Sequence, residues 1–450
     1  MTSPHGPDAS RPRDHDDADP ATAGNGATAP GTAAPGLRAA GWALAVLGAA
    51  TLAITAFTTP WRALPEQAPP VAPDAARDFT AEQLARSAAF DAVVGPPAYL
   101  SLGLTLVTAG VLAATPLGAR LLGRLKGPWW LRVLLGVLAV TVAVELLRWP
   151  LGMWQETHLR DYGLSVQTWP AWAADRVKGI GIRTGLTAVM VLAVVALARR
   201  VQRWWLPAAL GAFTLTVAAS FAYPVLVEPV FNDFRPMAAG QLRDDLLAMA
   251  ARDGVPVEDV LVADASRRTT ALNAYVSGFG ATRRIVVYDT LLRAPADEVE
   301  LVVAHELGHA ESGDVLYGTL VGGLGAACGA CLLYLVSSAR TVRRRSGVPS
   351  LADPRAAGLI MGLVSLATGL SGPVQNLVSR QVEARADVHA LDLTRDPATF
   401  AAMQKRLAIS NISDLSPDIV EYVLYASHPS IPERIALARS WAALNGLPEP

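Results

Sequence analysis

Charge is what this 450-residue chain has least of: Asp, Glu, Lys and Arg make up 17% of it, against 52% hydrophobic residues. An ordinary soluble domain carries about 25% charged residues, so this chain has too few to solvate a globular surface of its length. That argues against a soluble single-domain enzyme, and the mean hydropathy of +0.31 fits a polytopic membrane protein. The 38 basic and 39 acidic residues leave a net charge of -1, without the cationic footprint of a nucleic-acid binder. Two cysteines cannot build a disulfide framework. Lysine occurs only at Lys126, Lys178 and Lys405, and arginine supplies the remaining positive charge, a bias that GC-rich bacterial coding produces. Disorder is excluded for most of the chain, since it requires low hydrophobicity and high net charge.

What is present is a series of long apolar runs. A membrane-spanning helix needs about 20 mostly apolar residues. That length predicts five spans before residue 230, at 39–59, 97–115, 131–147, 180–197 and 207–226, and two later ones at 316–336 and 358–378. Trp129, Trp130, Trp204 and Trp205 stand near span ends, where amphipathic rings suit the interface. The span centres read as almost free of charge, with Glu145 near the end of the third. Ahead of the first span, residues 1–36 have no apolar face and many Pro and Gly, which predicts a disordered tail and not a signal peptide. The expected division is this tail, a membrane domain over 37–230 with five helices, and a unit over 231–450 with the last two.

Polar stretches follow the fifth and seventh spans. In the first, residues 257–263, 273–280 and 284–288 read as strands by their β-branched content. From Asp297 the pattern turns helical, with Val299, Leu301, Val302, Val303 and Leu307 at helix spacing.

That helix carries His305, Glu306, Leu307, Gly308 and His309. Side chains four apart share one helix face, so both imidazoles can reach one Zn²⁺, and Glu306 can stand beside it as general base for a bound water. The five-residue pattern alone would also suit an ordinary amphipathic helix. A catalytic zinc needs a third protein ligand, and Asn376, Arg380, Glu383 and Asp387 recur downstream at spacings of four, three and four. Such a stripe would equally suit a solvated face held by ion pairs, Arg380 with Glu383 among them. The missing third ligand makes Glu383 the leading candidate, with Asn376, Arg380 and Asp387 placed to orient the ligands from behind.

At this point the chain resembles the CAAX prenyl protease type I family, membrane-integral zinc metallopeptidases of the gluzincin type. The resemblance rests on residues 273–280 leading to 284–292, on 303–309 with the two histidines, on the 376–387 stripe, and on 425–434, which contains His428. Residues 79–86, read as a loop, also resemble the family's N-terminal domain. The resemblance implies a mainly α fold, with seven transmembrane helices enclosing a water-filled chamber and a small α+β zincin-like catalytic domain. It implies one Zn²⁺ per chain held by His305, His309 and Glu383, with Glu306 as catalytic base and His428 close to the substrate carbonyl. The implied partners are the lipid bilayer and a peptide or protein substrate that is membrane-attached or lipidated. The implied location is multi-pass in the cell membrane.

In peptidases of this kind an extended substrate pairs with an exposed sheet edge, for which Asn273, Ala274 and Tyr275 are the candidates. His428 can donate to an oxyanion, or be an ordinary loop histidine. His389 reads as a surface residue, and His5, His15 and His158 have no apparent partners. Cys328 and Cys331 fall inside the sixth span and read as packing residues, not metal ligands. Two substrate programmes are open: CAAX-type C-terminal processing, and quality control of membrane proteins without prenyl dependence, the second favoured in a bacterial host, where prenylated CAAX proteins are not expected. A transporter or scaffold is the non-enzymatic alternative; it would have no use for Glu306 and would place ionisable residues within its spans. Basic residues in the short loops, such as Arg120, Arg124, Arg199, Arg203, Arg340 and Arg343, put the N-terminus in the cytoplasm and the metal site on the outer side. Catalytic domains of the eukaryotic family members would face the cytosol.

Overall fold

The computed structural model describes residues 35–278 and 280–450. The expected tail therefore lies outside the described residues, except for its last two, which begin the first helix. Five long helices come first: α1 (Pro35–Thr58), α2 (Ala81–Ala114), α3 (Trp129–Asp161), α4 (Trp169–Arg200) and α5 (Trp205–Leu226). Helix α6 (Gln241–Arg252) and the pair α7 (Ala296–Glu311) and α8 (Asp314–Ser338) follow, then α9 (Ala356–Thr394), α10 (Pro397–Asn411), α11 (Ile419–Leu424) and α12 (Ile431–Leu444). Seven of these helices are long and apolar enough to cross a membrane, and each coincides with one of the runs read from the sequence, to within one residue at the ends of the first two. Trp42, Phe57, Leu100, Leu210 and Leu370 are exposed on them, which only a lipid surrounding makes favourable. The protein is a multi-pass integral membrane protein.

Two expectations change. Residues 79–86 are a helix start, not a loop: Thr80 caps α2 and Gln83 reaches back to its backbone, while Phe79 is buried. Several helices also outrun their apolar windows, so Arg148, Arg160, Arg176 and Lys178, which fall between the runs 131–147 and 180–197, lie within α3 and α4. Glu145, Arg148, Arg176 and Arg183 together line a cavity bounded by α2, α3, α4 and α9. The spans are not free of charge where they face inward, because a hydropathy window averages the lipid-facing and cavity-facing sides.

Between α5 and α7 lies a four-stranded sheet: β1 (Phe234–Pro236), β2 (Asp259–Ala263), β3 (Ala274–Ser277) and β4 (Arg284–Tyr288), in the order β1-β2-β4-β3. β2 runs parallel to β4, and β3 is antiparallel to it, with Val276 opposite Ile285. β3 is thus an edge strand. Val299, Val303 and Leu307 of α7 are fully buried in a core shared with Ile285 and Val287 of the sheet and with Leu391 of α9. The residues that begin as the seventh span continue without a break into α9's polar half, so one rigid helix carries residues 376–387 from the membrane to the catalytic-type motif.

Candidate metal centre

The metal-binding pattern is local on α7 and completed by α9. His305 Nε2 lies 3.2 Å from His309 Nε2 and 3.2 Å from Glu383 Oε2, and His309 Nε2 is 3.6 Å from Glu383 Oε1. A tetrahedral ion with bonds of about 2.1 Å sets its ligands roughly 3.4 Å apart, so this donor set fits zinc in both chemistry and spacing. Gly308 is what lets the two helices approach: a Cβ there would lie 2.9 Å from His389 Cβ on α9.

Behind each imidazole stands a carboxylate. Asp387 Oδ1 is 2.9 Å from His305 Nδ1, and Asp314 Oδ2 is 2.9 Å from His309 Nδ1. Each carboxylate has its own guanidinium: Arg434 Nε donates to Asp387 Oδ2 at 2.8 Å, and Arg385 donates to Asp314. A carboxylate behind a ligand histidine fixes its tautomer and ring orientation. Asp314, Arg385 and Arg434 escaped the sequence reading. Asp314 sits one short turn past the motif, after Gly313 in a left-handed conformation, and its proximity in sequence was the available signal. Arg434 stands 129 positions from His305, and nothing local announces the contact.

The remaining expectations sort by geometry. Arg380, Glu383 and Asp387 are buried, so the stripe is not a solvated face. Arg380 points away from Glu383: Nη1 donates to the carbonyls of Tyr422 (2.9 Å) and Ala426 (2.6 Å). Asn376 Nδ2 donates to the carbonyl of Leu424 at 2.9 Å. Both therefore hold the segment that leads to His428, whose Nδ1 lies 2.8 Å from Glu383 Oε2 while the ring stays 58% exposed. His389 is partly exposed and pairs with Asp253 at 3.0 Å. His158 lies 3.5 Å from Asp161, apart from this centre. Cys328 and Cys331 are free thiols within α8.

A cavity of about 440 Å³ opens onto His305 and Glu306, and Asn273 and His428 also line it. Of the three strand candidates only Asn273 lines this cavity. Ala274 is buried, and Tyr275 packs edge-on against Tyr288 at 6.4 Å. Asn411 clamps the backbone of Leu272 from both sides (2.9 and 3.2 Å), so the open strand edge starts immediately after it.

The electrostatics follow from burial and these pairs. Burial pushes the Glu306 carboxyl above its ordinary range, against the opposing pull of His305 and His309. For His309, burial works downward, but hydrogen bonds to Asp314 and Glu383 outweigh it and push the imidazole up to about 10. His305 is raised likewise, by Asp387 and Glu383 against burial. The centre is an anionic nest that favours positive charge.

Comparison with known proteins gives the following. Residues 98–233 match the model of the CAAX prenyl protease N-terminal region with five membrane helices, and residues 236–442 match peptidase family M48. A Bacillus subtilis protein named uncharacterized metalloprotease YhfN is 33% identical over 280 residues, covering 61% of this chain and 66% of that one. CAAX prenyl protease 1 homolog of Oryza sativa subsp. japonica is 30% identical over 291 residues (61% and 65%), and CAAX prenyl protease 1 of Saccharomyces cerevisiae 26% over 301 (61% and 64%). The chain thus spans just under two thirds of the length of these relatives. The crystal structure of S. mikatae Ste24p superposes with a TM-score of 0.71, covering 90% of this chain and 100% of that one at 20% identity, a likeness of fold.

Proposed function

Residues 236–442 of this chain match peptidase family M48, and on that premise we propose that the protein is a membrane-embedded zinc metalloendopeptidase. The observation that carries the reading is the convergence of His305, His309 and Glu383, whose ligand atoms lie within 4.8 Å of one another beside Glu306. Bound there, zinc would act as a Lewis acid on the scissile carbonyl and lower the pKa of a water. Glu306 would accept a proton from the attacking water and return it to the leaving amine, and a carboxyl raised by burial is closer to the working pH of such a task. His428, whose Nδ1 lies 2.8 Å from Glu383 Oε2, would offer an Nε2–H to the developing oxyanion in its protonated form, in which both ring nitrogens donate. Asn376 and Arg380 would fix the His428 segment, and the β3 edge from Asn273 would hold the substrate extended. In this reading residues 37–230 are the membrane domain and 231–450 the catalytic one.

The substrate would be a membrane-attached or lipidated protein. The rice and yeast relatives, named for CAAX prenyl proteases, support C-terminal processing of that type. The Bacillus relative is named only as a metalloprotease, which supports the alternative of quality-control cleavage without a prenyl group. Purified protein assayed on farnesylated and unfarnesylated peptides, with and without a chelator, tests both. Chelator-sensitive cleavage of the farnesylated peptide alone supports CAAX processing, and equal cleavage supports the alternative. If neither peptide, nor any unfolded membrane protein, is cut, the peptidase reading is wrong.

A further inference from the structure

A second cavity, of about 720 Å³, lies between α2, α3, α4 and α9. Its charged lining is three guanidiniums, from Arg148, Arg176 and Arg183, against the single carboxylate of Glu145. Arg183 donates to Glu145, and Arg176 stands 3.9 Å from it. Arg148 donates to Thr105 Oγ1 and, at 3.5 Å, to the carbonyl of Ser101. The Nε atoms of Arg148 and Arg176 are buried without a hydrogen-bond partner among the described residues. Arg176 is also seated: its guanidinium lies 5.2 Å from the Trp172 ring, over Gly152, where a Cβ would meet Nη1 at 2.9 Å. Two positive charges are thus left over inside a bundle of membrane helices, where ionisable groups are costly and mark ligand sites.

The adjoining cleft has the opposite character. Glu306, Asp414 and Glu421 line it, and its one guanidinium, Arg434, is committed to Asp387. Tyr425 lines both cavities. Apart from a zinc on its His305 side, which would itself attract an anion, the cleft meets a peptide's terminal carboxylate with the carboxylates of Asp414 and Glu421, and next door lie planar guanidinium forks, the geometry that binds carboxylates well. We propose that the Arg148–Arg176–Arg183 cavity is the binding site for the C-terminal carboxylate of a peptide lying in the cleft. The inference rests on the peptidase reading for the identity of the occupant, and it makes the substrate's free C-terminus a recognition element.

The test uses full-length protein in detergent, carrying Glu306→Gln so that binding is read without turnover. A fluorescent peptide with a free C-terminal acid is compared with its C-terminal amide. The acid is expected to bind about tenfold more tightly, the scale of one charge-assisted contact. Arg148→Gln with Arg176→Gln brings the ratio toward one, and Glu145→Gln raises it, a gain that misfolding cannot imitate. Equal binding of acid and amide overturns the proposal, as does a ratio that the arginine substitutions leave unchanged. If the arginine variants instead release bound phosphatidylglycerol while acid and amide bind alike, the cavity holds a lipid phosphate and the proposal is again wrong. Because no cleavage is measured, a failed peptidase assay and a failed carboxylate preference are separate results.

Discussion

Arg434 Nε donates to Asp387 Oδ2 across 2.8 Å, joining α12 to α9 through two buried charges directly behind His305. The pair ties the C-terminal helix to the ligand helix and leaves Asp387 free to accept from the imidazole. Removing one partner of a buried pair leaves an uncompensated charge, at a cost of about 3–5 kcal/mol. Arg434→Leu should therefore lower stability by that order in denaturant titration. Asp387→Asn, which keeps the shape and loses the charge, should weaken zinc about 10–100-fold in a competition titration with a chromophoric chelator. Unchanged zinc affinity in Asp387→Asn would count against its orienting role.

Glu306→Gln should retain one zinc per chain and lose ~10²–10⁴-fold in turnover, the usual loss on removing a general base. His309→Ala should lose the metal itself. A Glu383→Ala protein with native zinc content and full activity would show the third-ligand assignment to be mistaken; metal analysis alongside the peptide assay reads both.

Gly308→Ala should destabilise the protein by about 1–3 kcal/mol, the range for overpacking, because the new Cβ meets His389 Cβ at 2.9 Å. His389→Gly in the same protein should recover part of the loss. An unshifted Tm for Gly308→Ala would mean that α7 and α9 can separate at no cost.

Glu421 gives a pH prediction. Burial first, then the carboxylates of Asp91, Asp414 and Asp418, push its carboxyl up to about 7 from an ordinary 4.5. A folded pKa above the unfolded one means the favourable contribution is complete below the unfolded value and is lost as pH rises through the folded one. Glu421→Gln should thus raise Tm at pH 8 relative to the parent and leave it unchanged near pH 4. An equal shift at both pH values would point to packing instead of charge.

Orientation is testable independently of catalysis. By the positive-inside rule the arginines at 340, 343, 344, 345 and 355 predict a cytoplasmic 337–356 segment. A phosphatase fusion in that segment should be inactive; activity there would reverse the topology and put the metal centre on the cytoplasmic side.

The sequence by itself determined the features that need only neighbours along the chain. Seven spans were legible because hydropathy sums over about 20 contiguous residues, and each of those runs falls on one long helix to within a residue. The facing of His305 and His309 was legible because helix geometry puts residues four apart on one side. The bearing of Asn376 and Arg380 was not: both belong to the same stripe as Glu383, yet they hold the carbonyls of residues 422–426, and which neighbour a helix face meets is set by packing. Tertiary structure alone decided that Arg434 stands behind Asp387, 47 positions away. It also turned Glu145, Arg148, Arg176 and Arg183 toward one another across two helices. The physical reason is common to both cases. Contacts between distant segments form where burying a charge requires its partner, and that requirement depends on which helices pack together.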